Sequence, residues 1–143
     1  AKRIVAIKFR AAISELKALI ENLPKGELRQ TRLFEALRHM GQLIDRHRSR
    51  WDDKSDFNYR ITLISDLLQH SENFDAYQRP IPAYEDWLNK PKSSLGRANL
   101  DRVEVKIYKF ERGQPYSRDL DKFWLDYWND AGVKTFPPSV VNI

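Results

Sequence analysis

Apolar positions along the first third of the chain recur at three- and four-residue intervals. Phe9, Ala12, Ile13, Leu16, Leu19, Ile20 and Leu23 fall on one face of a helix, which Pro24 and Gly26 end. The stretch before it, Lys2 to Phe9, is ambiguous: Ile4, Val5 and Ile7 favour a strand, yet the segment runs straight into the helical pattern. A second helix is expected from about Glu27 to Arg50. Its stripe of Leu33, Phe34, Leu37, Met40, Gly41 and Ile44 clusters around Leu37 at 100° per residue and points on towards Trp51. Phe57, Ile61, Ile64, Leu67 and Leu68 repeat the helical spacing and predict a third helix that fades by His70. Asp53, Ser55 or Asp56 would cap it, a side-chain oxygen accepting from an N–H of the first turn.

Residues 71–101 are looser, punctuated by Pro80, Pro82 and Pro91. A short helix from Pro82 to Leu88 is expected, with Tyr84, Trp87 and Leu88 facing inward. NKPKSSLG (89–96) has loop composition, and a weak internal boundary falls near 90–100. Val103, Val105 and Ile107 then alternate with Arg102, Glu104 and Lys106, the pattern of a half-buried strand over 102–110. Gly113-Gln114-Pro115 turns the chain, and Ser117 is placed to cap a helix from Arg118 to Asn129 with Gly132 at its C′ position. The tail KTFPPSVVNI is extended. Val140, Val141 and Ile143 either add a strand beside 102–110 or dock in a neighbour. The fold class expected is mainly α, with α+β as the alternative. Three longer helices form a bundle, followed by a short strand and a C-terminal aromatic helix, in a single domain over residues 1–143.

Composition narrows the chemistry. With 143 residues the chain is long enough for a real core without staples. It has no Cys, which excludes disulfides, thiolate metal sites and a Cys nucleophile. No apolar run approaches the roughly 18 residues of a membrane span, and Lys8 and Arg10 interrupt any signal-peptide core. A cytoplasmic protein with no membrane partner is the expectation. The formal net charge is +5, and it is unevenly spread: residues 1–50 hold 12 Lys/Arg against 5 Asp/Glu, while the remainder holds 13 against 15. Such asymmetry points to an acidic partner for the first half.

The candidate surface is the polar side of the second helix. Arg32, His39, Arg46 and Arg50 lie within about 40° of one another, opposite Leu37, with Arg29 and Arg38 flanking them more loosely and Arg48 near the helix end. At 1.5 Å rise per residue the strip runs about 27 Å, enough to follow a phosphate backbone. The guanidinium fork suits phosphate oxygens. The bland reading of the same strip is a solvated charged face.

Other constellations are weaker. Asp52, Asp53 and Asp56 match DDxxD, a pattern that holds Mg²⁺ against diphosphates, but 143 residues supply too few helices to enclose that chemistry, and a capping loop accounts for them. His39, His47 and His70 could serve a metal-independent nuclease, yet the first two are about 12 Å apart along one helix. HExxH, P-loop, GxSxG and GxGxxG motifs are absent. Phe123, Trp124, Tyr127 and Trp128 make a dense aromatic face that is either core or a protein interface. The sequence therefore favours a non-catalytic module contacting nucleic-acid phosphates through Arg32, Arg38, His39, Arg46, Arg48 and Arg50. The alternative is an assembly subunit, a homo-oligomer or a protein's partner, using Phe123, Trp124, Tyr127, Trp128 and the tail; a small nuclease comes third. No cofactor or metal is expected.

Overall fold

A computed structural model describes residues 32–50, 57–110 and 117–143. The chain divides into residues 1–29 with Ile143 and residues 30–142, and every described helix and strand belongs to the second unit. Its elements are α1 (Leu33–Arg50), β1 (Tyr59–Ser65), β2 (His70–Ser71), β3 (Phe74–Asp75), α2 (Tyr84–Leu88), a 3₁₀ turn (Ser93–Leu95), β4 (Val103–Lys109), α3 (Arg118–Ala131) and β5 (Ser139–Asn142).

The architecture is α+β, and this corrects the expected bundle of three long helices. Strands β1, β4 and β5 form a parallel sheet with β4 in the middle, and β2 pairs antiparallel with β3. Tyr59 stands opposite Val103 and Ser65 opposite Lys109 on one side of β4. On the other side Lys106 stands opposite Ser139 and Lys109 opposite Asn142. Val103, Val105 and Ile107 are almost wholly buried, as their alternation requires of a central strand. Parallel neighbours need a crossover, and α3 supplies the one from β4 to β5.

The third helix expected over 57–68 is strand β1 instead. Its apolar residues fit a helical face, but Tyr59, Ile61, Thr62 and Ile64 are β-branched or aromatic, and they pair along the whole length of β4. Tertiary pairing therefore overrode the local period. The expected helix over 9–23, the ambiguous segment Lys2 to Phe9, and the capping candidates Asp53, Ser55 and Asp56 lie outside the described residues. Other expectations are met. The short helix covers Tyr84–Leu88. Ser117 caps α3, its side chain accepting from the Asp119 N–H, and Gly132 closes the helix in the left-handed conformation at φ 75°. The tail adds β5 beside β4.

The core is built around rings. Phe34 of α1 lies 5.1 Å from Tyr127, 4.9 Å from Trp87, 5.3 Å from Trp124 and 5.4 Å from Phe74, centroid to centroid. Buried polar tips find acceptors: Trp124 Nε1 donates to the Leu67 carbonyl at 2.9 Å, and the Tyr127 hydroxyl donates to Gly96 O at 2.9 Å. The segment near 90–100, where composition suggests a weak boundary, is tied down within the unit. Leu100 N–H donates to Ala131 O at 2.8 Å, and Arg97 forks onto Asp130 at 2.6 and 2.7 Å. Opposite it, Gly41 of α1 lies so close to the Asn99 carbonyl that a Cβ there would collide with it.

Candidate functional site

The outer face of α1 is fixed by what its inner face does. Leu33, Phe34, Leu37, Gly41 and Ile44 are buried. The helix start is held from 35 residues away. Gln69, fully buried, accepts from the Leu33 N–H at 2.6 Å and the Phe34 N–H at 3.2 Å through Oε1, satisfying two donors that a helix leaves without intrahelical partners. Anchored at Phe34 and capped by Gln69, α1 has one rotational setting.

That setting exposes Arg32, His39, Arg46 and Arg50 and leaves Arg38 half-buried. Arg38, His39, Arg46 and Arg50 make no side-chain hydrogen bond or ion pair among the described residues. Most other exposed arginines differ. Arg60 holds Glu104 at 3.0 Å, Arg97 holds Asp130 at 2.6 Å, and Arg102 holds Asp101 at 3.2 Å. Arg118, at the start of α3, is exposed and unpaired among the described residues, away from this strip.

Arg48 departs from the expectation. Its side chain is 15% exposed, Nη2 donates to the Asp101 carbonyl at 2.7 Å, and Asp45 lies 3.7 Å away. Its guanidinium carbon sits 4.9 Å over the Tyr59 ring. Arg48 clamps α1 to the sheet and the 99–102 segment rather than facing a ligand. The helix period contains this outcome, because position 48 is four beyond Ile44 and seven beyond Gly41, on the buried side.

The three histidines have different surroundings. His47 Nδ1 is 2.7 Å from the Tyr59 hydroxyl, and its ring stands edge-on to Phe57 at 5.2 Å. His70 Nδ1 lies 3.1 Å from Asp75 Oδ1, off the hydrogen-bond direction, with its ring 6.0 Å from Tyr77. His39 has neither neighbour. No side chain is shared by any two of them in these contacts. Among the described residues, no group of three or more His, Cys, Asp or Glu converges as metal ligands. Asp52, Asp53 and Asp56 lie outside those residues.

Phe123, Trp124, Tyr127 and Trp128 are all inside, at most 3% exposed. They pack the core, so the described unit presents none of them to a partner. Trp124 and Trp128 only floor a groove of about 460 Å³ between α3 and β4–β5, edged by Leu125 and Val140.

One polar group was missed from sequence. Asp130 accepts from Arg97 and from the Tyr84 hydroxyl at 2.7 Å. The Arg97 bonds hold its carboxyl below the ordinary carboxylate range, although partial burial opposes them. Burial first, then the bond to Asp130, pushes the Tyr84 phenol well above its usual range. Tyr84 and Asp130 line a cleft of about 660 Å³ that Glu85, Asp119 and Asp126 also border. The signal was present, since positions 119, 126 and 130 share one face of a helix at spacings of seven and four.

No family model, curated protein or solved structure matches the chain, so function rests on this geometry. No helix among the described residues is long and apolar enough to cross a membrane.

Proposed function

We propose that this chain is a non-catalytic module that binds nucleic-acid phosphates through the outer face of α1, with Arg38, His39, Arg46 and Arg50 as contacts and Arg32 at the end of the strip. The observation that carries this reading is the contrast in arginine pairing. Arg60, Arg97 and Arg102 hold carboxylates, whereas Arg38, Arg46 and Arg50 make no ion pair among the described residues. A solvated structural face would be expected to carry its own carboxylates, yet of the two acids of α1 Glu35 lies near its start and Asp45 is turned to Arg48 and Asn99. Unpaired guanidinium groups on one side of a helix offer forked donors to successive phosphates. The binding would be largely indifferent to sequence, because phosphate contacts position without specifying. Arg48, engaged inward, leaves the contact set.

Charge reversal is the direct test. Arg46→Glu with Arg50→Glu should abolish binding to labelled DNA and RNA at low salt while the protein still melts cooperatively. Arg60→Glu with Arg118→Glu, an equal change of charge outside the strip, should weaken binding much less. Equal losses from the two variants would mean that net charge matters and the α1 face does not.

A further inference from the structure

We infer that the nucleic acid bound on α1 is single-stranded, its bases stacking on Phe57 and His47 while its phosphates lie along Arg46 and Arg50. The inference rests on the phosphate-binding reading above and names the class of strand. Beside the cationic line, about 70° round the helix, runs a second line of Met40, Leu43 and His47. Met40 and Leu43 are 40% and 43% exposed, and Phe57, which meets the His47 ring, is 42% exposed. Large apolar side chains therefore flank the unpaired cations on the surface.

The platform is rigid. Tyr59 lies beneath the Arg48 guanidinium, which the Asp101 carbonyl and Asp45 fix in turn. The Tyr59 hydroxyl then holds His47 Nδ1 at 2.7 Å, setting the imidazole plane whichever partner donates. The Phe57 ring stands 88° to that plane. Arg50 lies three residues beyond His47, so that ring and guanidinium group are neighbours on the helix surface. A charged track beside aromatic and apolar side chains is the arrangement that grips an unpaired strand, whose base faces are available. A duplex keeps those faces inside its stack and would leave Met40, Leu43 and Phe57 against water or backbone. A pre-set ring loses little conformational entropy when a base lands on it.

The experiment is fluorescence anisotropy at low salt with four labelled probes: oligothymidylate, oligouridylate, an abasic strand of the same length, and a duplex of that length. The oligothymidylate or oligouridylate strand should bind about tenfold or more tighter than the abasic strand and the duplex. Oligothymidylate and oligouridylate differ in both the sugar and the thymine methyl, so either serves as the strand with bases. Phe57→Ala should cut affinity for the strands with bases roughly five- to hundredfold, to the level of the abasic strand. Phe57→Leu, which keeps apolar bulk without a π face, should fall likewise, and Phe57→Trp should restore binding. Strands with bases binding no more tightly than the abasic strand or the duplex, or wild-type binding by both Phe57→Ala and Phe57→Leu, would overturn the inference and leave the phosphate reading standing. Failure of every probe to bind would overturn both.

Discussion

At the residue scale, neighbouring cations on one helix have opposite duties. Arg48 is turned inward onto the Asp101 carbonyl and the Tyr59 ring, while Arg46 points outward and makes no ion pair among the described residues. Arg48→Ala should therefore cost about 1–3 kcal/mol in urea unfolding, since it removes a charge-assisted bond and a cation–π contact. Arg46→Ala should leave the urea midpoint within about 0.5 kcal/mol of wild type and instead weaken nucleic-acid binding. A stability loss from Arg46→Ala equal to that from Arg48→Ala would contradict the assignment. Gln69 makes a similar point from the far side of the core. Gln69→Ala strands the N–H groups of Leu33 and Phe34 in a buried setting and should destabilise by about 1–3 kcal/mol. Circular dichroism melting reads that loss directly. Nothing in the sequence around Gln69 marks it as a cap, because the helix it serves begins 36 positions earlier.

At the scale of elements, legibility followed the range of the interactions that shape each one. α3 was readable to within two residues at its end because Ser117 and Gly132 close it locally, as a side-chain acceptor and a left-handed turn. β4 was readable because a central strand must bury Val103, Val105 and Ile107 on alternate positions. β1 was misread because Ile61, Ile64, Leu67 and Leu68 satisfy a helical period, whereas in the strand Ile61 is buried and Ile64 exposed on opposite faces. The deciding partner, β4, lies more than 40 residues further along. The exposed line of the candidate site was legible from α1's periodicity, and so was Arg48's inward turn, though only by treating a charged residue as able to occupy the buried stripe. The aromatic platform was not, since Tyr59 at the start of β1 and Phe57 just before it meet His47 only through tertiary packing. α1's seat is also tight. Gly41→Ala drives a methyl into the Asn99 carbonyl and should cost about 1–3 kcal/mol by urea unfolding. A neutral result would show that the helix can shift away from the 99–101 segment, and with it the outer face.

For the whole unit, charge couples stability to pH through the Tyr84–Asp130–Arg97 group. The Asp130 pKa is depressed in the folded protein, so the group's stabilisation is present above the unfolded value near 3.8 and is lost as pH falls below it. The Tyr84 pKa is raised, so that contribution is present below about pH 10 and disappears only as pH rises beyond it. Asp130→Asn should be less stable than wild type at pH 7, and the gap should close below about pH 4; a constant gap in acid melts would contradict the ion pair's role. The same unit gathers carboxylates around the α2–α3 cleft and leaves α1's outer cations without them, which is the asymmetry that the functional account rests on. The most direct test of that account is the salt dependence of binding to a single strand. With two to four phosphates neutralised by Arg32, Arg38, Arg46 and Arg50, log K against log salt should fall with a slope of roughly −1.4 to −3. Replacing both Arg46 and Arg50 by Ala should flatten that slope by about 1.4, at about 0.7 per lost contact. A slope near zero, or one that the double substitution leaves unchanged, would show that the outer face of α1 does not meet a phosphate backbone.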